Sequence, residues 1–348
     1  MGPIPRVAFG RIRLATIIVS VGLLTGIAGA VLAQDDVDQP EQEQGTVPEA
    51  ASDTASAPLA LPMELPPDLV PIIDLHFHAE EHWDIPTLVD RFNGLGVAQA
   101  GNGGARSDST ALSFASTAPG RFIPFGGQGS IYRWTAEQGE RAWNLQTPQI
   151  LGYLDQLEEQ LRSGALRGIG ELFVNNMHSS PSNTPTKYPA DSPLMQRLWA
   201  MSATYQVPLS VHMEGESDSV AQMERLLNSN PAGTWIWAHA GQSGPDVIRK
   251  LFAAHPNLYG ELSARTHLPS VGADVDTNGT LKPLWKQLFE DYPDRFVLGT
   301  DTGEVSYAKY AQLVLRWRTI LDQVSAPTRT KIAHANAERL LTEHIVVQ

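Results

Sequence analysis

The chain contains no cysteine in its 348 residues. Disulfides, thiolate metal ligands and a cysteine nucleophile are all excluded, so any metal must be held by nitrogen and oxygen. Basic residues are scarce: 25 Lys and Arg stand against 38 Asp and Glu, a net charge of −13. Phosphate backbones are bound by clustered Lys and Arg, so this balance argues against a nucleic-acid partner and leaves a small molecule as the expected one. No Gly-x-Gly-x-x-Gly turn follows the first strand-like segment, which removes support for a dinucleotide fold.

Long apolar runs are confined to the N-terminus. Arg6, Arg11 and Arg13 precede "LATIIVSVGLLTGIAGAVLA", and small residues lead up to Gln34. This is the layout of a secretory signal over 1–33, and it predicts an exported protein, periplasmic or extracellular. The run is long enough to span a bilayer, so an uncleaved membrane anchor is the alternative. Removing the three arginines would deepen the negative charge. Residues 34–70 carry acids and prolines, no Lys or Arg and no apolar period, which predicts a disordered linker between signal and folded domain.

From residue 71 onward, β-rich runs alternate with helix-period segments. The strand candidates are "PIIDLHFH", "GVAQAG", "RFIPFGG", "LRGIGELFV", "VPLSVHME", "TWIWAHAG", "LYGELSA" and "RFVLGTD". Between them lie segments such as "IPTLVDRFNGLG", "PLMQRLWAMSATY" and "PDVIRKLFAAHP". Eight such units over 71–348 predict an α/β fold of the (β/α)8 barrel type, with a doubly wound open sheet as the alternative.

A barrel gathers its functional residues at the C-terminal ends of its strands. His76 and His78 end the first strand, Glu171 the fourth, His212 the fifth, His239 the sixth and Asp301 the eighth. All six are metal ligands of the nitrogen and oxygen kind. Strict alternation would put Asp74, His76 and His78 on one face of the first strand, with Asp74 too deep for a metal and bonded to backbone or a neighbouring strand. Asn102, Arg106, Gln128, Tyr132, Trp134, Arg265 and the loop 175–193 follow strand ends and are expected at the rim. Arg265 is placed there either to pair a substrate carboxylate or to close an ion pair. The histidines 82, 178, 255, 267, 334 and 344 are expected in surface or capping roles.

The set "DLHFH", "GIGEL", "SVHME", "WAHAG" and "LGTDTG", in this order, resembles the amidohydrolase superfamily, and in particular its amidohydrolase-related branch, which includes decarboxylases. The likeness runs from 71 to about 342 and ends in "IAHANAERLL". It implies a divalent metal, zinc before others, held by His76, His78 and Asp301 with His212 completing a one-ion set. A two-ion site, with Glu171 as the bridge and His212 and His239 on the second ion, is the alternative. It implies an amide, ester or lactone hydrolase using a metal-activated water, with Asp301 moving the proton and His239 polarising the scissile group. The competing readings are a metal-dependent non-oxidative decarboxylase and a catalytically silent metal-dependent binding protein.

Overall fold

The computed structural model describes residues 69–104, 107–177, 186–265, 279–302 and 306–342. The chain divides into two units, Met1–Ser56 and Ala57–Gln348, and every described residue belongs to the second. The signal expected over 1–33 lies outside the described residues, as does the linker over 34–70 except for its last two positions. Among the described residues no helix is long and apolar enough to cross a membrane.

Among the described residues there are ten strands: β1 Ile72–His78, β2 Val97–Gly104, β3 Phe122–Ile123, β4 Gly126–Gly127, β5 Ile169–Asn176, β6 Thr186–Lys187, β7 Pro208–Met213, β8 Thr234–Trp237, β9 Leu258–Glu261 and β10 Phe296–Val297. All pairings are parallel except that of β6 with β5. One sheet runs β1-β2-β3 and the other β10-β9-β8-β7-β5-β4. β3 and β4 are one expected strand, "RFIPFGG", interrupted at Pro124, which has no N–H for a ladder. Its two halves pair with different sheets and so join them.

The other seam is bridged by backbone bonds from Leu75 N to Leu298 O at 2.8 Å and from Asp301 N to His76 O at 2.7 Å, with a parallel bridge from Phe77 to Thr302. The eight expected strands therefore form a ring, the TIM barrel. Helices follow them, among them Ile85–Leu95, Pro193–Tyr205, Pro245–Ala254 and Tyr307–Leu321. Their starts are set by local chemistry: the side chains of Asp84, Ser192 and Ser306 accept from Thr87, Met195 and Lys309 N–H groups. Gly96, in the left-handed region at φ 68°, closes the first helix, where a side chain would be strained.

Burial separates two layers. Phe77, Phe92, Phe122 and Tyr310 belong to the large cluster between strands and helices. Ile73, Leu75, Ile123, Phe125, Ile236, Tyr259 and Val297 form a second cluster with Ala337, Leu340 and Leu341. Residues from so many ring positions can meet only inside the ring. The helix Asn336–Thr342 thus plugs its lower end, fixed by Asn336 Nδ2 donating to Pro293 O and Phe296 O, each at 2.8 Å.

Strict alternation fails along β1. Asp74 pairs with Ala100 and Phe77 with Asn102, so β1 advances three residues while β2 advances two, and one residue is bulged. Leu75 then points into the ring and Phe77 out of it, although they are two apart. Asp74 accordingly does not share a face with the histidines. It accepts from Thr300 N at 3.0 Å and from Thr300 Oγ1 at 2.6 Å, and burial raises its pKa to about 6 against those bonds.

Candidate metal centre

β5 carries a second bulge, between Ile169 and Leu172, which pair with Leu209 and Val211. It contains Glu171, as the β1 bulge contains His76. Bulges re-aim side chains, and these two turn both residues toward the ring axis. His212 arrives by ordinary alternation on β7. His239 follows β8 on a turn in which His239, Ala240, Gly241 and Gln242 have φ of 55°, 46°, 60° and 54°. Left-handed backbone costs a side-chain-bearing residue about 1 kcal/mol or more, and it is held here by Arg265. The Arg265 guanidinium, fully buried and 4.4 Å over the Trp285 ring, donates to His239 O at 3.1 Å and Ser243 O at 2.8 Å. Arg265, expected at the rim, is instead fully buried beneath this turn.

The six expected residues converge. His78 Nε2 is 3.1 Å and His76 Nε2 3.5 Å from Asp301 Oδ1. His76 Nε2 is 3.2 Å from Glu171 Oε2, while the other oxygen of Glu171 faces His212 Nδ1 at 3.1 Å and His239 Nε2 at 3.5 Å. His212 Nδ1 and His239 Nε2 are 3.1 Å apart. Three groups of donors lie close enough to hold an ion: His76 with His78 and Asp301, Glu171 with His212 and His239, and His76 with His239 and Glu261.

A fully buried residue absent from the expected set organises them. Glu261 accepts from His76 Nδ1 at 2.7 Å, from Ser263 Oγ at 2.7 Å, from the His239 N–H at 3.2 Å and from the Ser263 N–H. Ser263 Oγ also meets His239 Nδ1 at 2.9 Å. The imidazoles of His76 and His239 are thereby held by their Nδ1 sides so that Nε2 faces the centre. Room for this comes from Gly299, where a Cβ would lie 2.2 Å from Glu261 Oε1 and 2.4 Å from His76 Cβ. The sequence does carry a signal for Glu261: Gly-Glu-Leu occurs at 170–172 and again at 260–262, each time putting a carboxylate in an apolar strand.

The electrostatics favour a cation. Burial pushes the His76 imidazole down, but the charges of Glu171, Glu261 and Asp301 outweigh it and hold the pKa well above its ordinary value. Burial likewise opposes the shifts of Glu171 and Asp301, yet His76 and the neighbouring histidines hold both carboxyls below the usual range. The field that keeps a proton on His76 would equally keep a metal ion. His76 Nε2 is itself buried and makes no hydrogen bond, even with two carboxylate oxygens nearby. Donors bound about 2.0–2.2 Å from one tetrahedral ion lie roughly 3.3–3.6 Å from each other, close to the spacings here. The residues present thus fit a divalent metal.

The amidohydrolase family model matches residues 73–342. The chain belongs to the amidohydrolase family. Among solved structures it is similar to 2,6-dihydroxybenzoate decarboxylase from Rhizobium, with 13% identity, 78% of this chain and 99% of that one covered, and a TM-score of 0.51. The complex of 2,6-dihydroxybenzoate decarboxylase with 2,6-dihydroxybenzoate gives the same figures. A structure described as amidohydrolase II has 14% identity, 78% and 100% coverage and a TM-score of 0.52. No curated protein matches the sequence. At these identities the structural likeness establishes the barrel, and the family makes the protein an amidohydrolase-superfamily enzyme with a divalent-metal centre.

Of the expected rim residues, Tyr132 is 58% exposed and Gln128 and Trp134 are half-buried. Arg106, the Asn102 side chain and 178–185 lie outside the described residues, as do His178, His267 and His344. His255 and His82 pair with Glu224 at 3.2 Å and Glu80 at 3.7 Å, and His334 with Glu338 at 3.0 Å.

Proposed function

We propose that the protein is an exported, zinc-dependent hydrolase of an amide, ester or lactone, with a two-ion centre bridged by Glu171. The observation that carries this reading is the placement of Glu171, one oxygen toward His76 and the other toward His212 and His239. His76, His78 and Asp301 would hold one ion, and His212 and His239 the other. This gives His239 the part of a ligand in place of a carbonyl polariser, because its Nδ1 is taken by Ser263 and its Nε2 faces His212. Divalent ions so held would supply a water of pKa about 7 and a Lewis acid for the scissile carbonyl.

The chain's own residues do the rest. Glu171 and Glu261 are buried, whereas the Asp301 side chain is 32% exposed and alone among the three carboxylates reaches the mouth. Its described side-chain contacts use Oδ1, leaving Oδ2 to accept a proton from the attacking water and return it to the leaving group. Its depressed pKa keeps it ionised at neutral pH.

The test is metal analysis followed by a substrate panel. Protein reconstituted with zinc is expected to retain about two equivalents and to hydrolyse members of an amide, ester and lactone panel. Release of carbon dioxide from aryl carboxylates without any hydrolysis would make it a decarboxylase instead, and less than a tenth of an equivalent of metal would overturn both. Export is supported by the arginines and apolar run of 1–33, and N-terminal sequencing of the protein from the exported fraction is expected to begin near Gln34. A membrane-retained chain with its N-terminus intact would replace export in solution by anchoring.

A further inference from the structure

Phe173 lies two residues beyond Glu171 on β5 and is the register partner of His212 on β7, so the two side chains share the inward face. Its ring stacks on the His212 imidazole, with centroids 5.1 Å apart and planes 30° from parallel. Tyr132, from the helix Gln128–Gln138, meets Phe173 edge-on at 5.9 Å and 69°. The large aromatic cluster elsewhere, Phe77 with Phe92, Phe122 and Tyr310, is covered on every side. This one is not: Phe173 is half-buried and Tyr132 is 58% exposed. Uncovered aromatic surface is unfavourable in water, and here it adjoins a candidate ligand of the metal centre.

We propose that Phe173 and Tyr132 form an aromatic subsite that selects substrates carrying a planar aromatic group beside the scissile bond. The inference rests on the metal-hydrolase reading above. Two rings set 69° apart make a corner. A flat ring laid against one wall meets the other through its edge, and both are favoured geometries for aromatic pairs. A saturated ring of equal size fills the corner but gains neither contact.

Three hydroxamates, which chelate divalent ions, test this on the zinc-loaded full-length protein by titration calorimetry: benzohydroxamate, cyclohexanecarbohydroxamate and acetohydroxamate. Benzohydroxamate is expected to bind about tenfold more tightly than its cyclohexane counterpart. Phe173→Leu should reduce that ratio to about twofold or less while leaving acetohydroxamate affinity unchanged, which also shows that fold and metal are intact. Tyr132→Ala, at an exposed position, should lower the ratio to an intermediate value. Equal binding of the two ring compounds by the unaltered protein, or a ratio unmoved by Phe173→Leu, overturns the subsite. If none of the three binds, the metal reading fails and the subsite fails with it.

Discussion

Glu261 accepts four hydrogen bonds inside the ring, two of them from or through the histidines that face the metal centre. Glu261→Gln keeps the shape but turns one acceptor oxygen into a donor, so at least one buried N–H or O–H must face another donor. An unsatisfied buried donor costs about 1–3 kcal/mol, and loss of such an orienting carboxylate typically weakens metal affinity about 10–100-fold. Competition against a chromophoric chelator should show that loss, and an unchanged affinity would remove Glu261 from its positioning role. Asp301→Asn separates ligand from base. An asparagine retains an oxygen but cannot take a proton at neutral pH, so turnover should fall about 10²–10⁴-fold at full metal occupancy. A drop under about tenfold would sink the proton-transfer role. Sequence alone brought out the histidines and Asp301 because they end apolar strands. Glu261 escaped because a single acid inside "LYGELSA" looks like an interruption, and what makes it functional is a partner, His76, at the far end of the chain.

At the scale of elements, the strands were legible from their apolar runs and the bulges were not. Alternation assumes one residue for one across a ladder, and the extra residues in β1 and β5 are set by pairing that no local pattern announces. One contact between elements has a measurable pH signature. Glu290, from the helix Pro283–Asp291, accepts from Ser325 N at 2.6 Å, Ser325 Oγ at 2.8 Å and Thr328 Oγ1 at 2.6 Å, pinning the start of Ala326–Thr330. Burial would raise its pKa, but the Thr328 and Ser325 bonds outweigh that and lower it from 4.5. A carboxyl lowered by folding stabilises the native state above its unfolded pKa, and that contribution is lost as pH falls through the folded value. Glu290→Gln should therefore melt below the unaltered protein at pH 7, with the difference shrinking below about pH 4.5. A difference constant from pH 7 to pH 3.5 would show that ionisation plays no part.

For the whole molecule, eight alternating units announced the barrel, whereas its plug was visible only as a resemblance in "IAHANAERLL". Leu340 lies in the inner cluster with Ile73, Leu75 and Val297, at the end opposite the metal centre. Leu340→Ala should cost about 2–5 kcal/mol in urea unfolding, the range for buried Leu truncations, while metal content stays unchanged. Loss of metal along with stability would mean that the two ends are coupled.

Ring closure also imposes a schedule. His78 and Asp301, which face each other across the seam, are 223 residues apart in the chain. At translation rates of roughly 5–20 residues per second, the first strand waits about ten to forty-five seconds for the last. Until then β1 lacks the Leu298 and Asp301 backbone partners that close the ring, and the helix Asn336–Thr342 has not been made. Asp301 is the last of the six donors in the chain, so the complete set exists only after most of the polypeptide has been made.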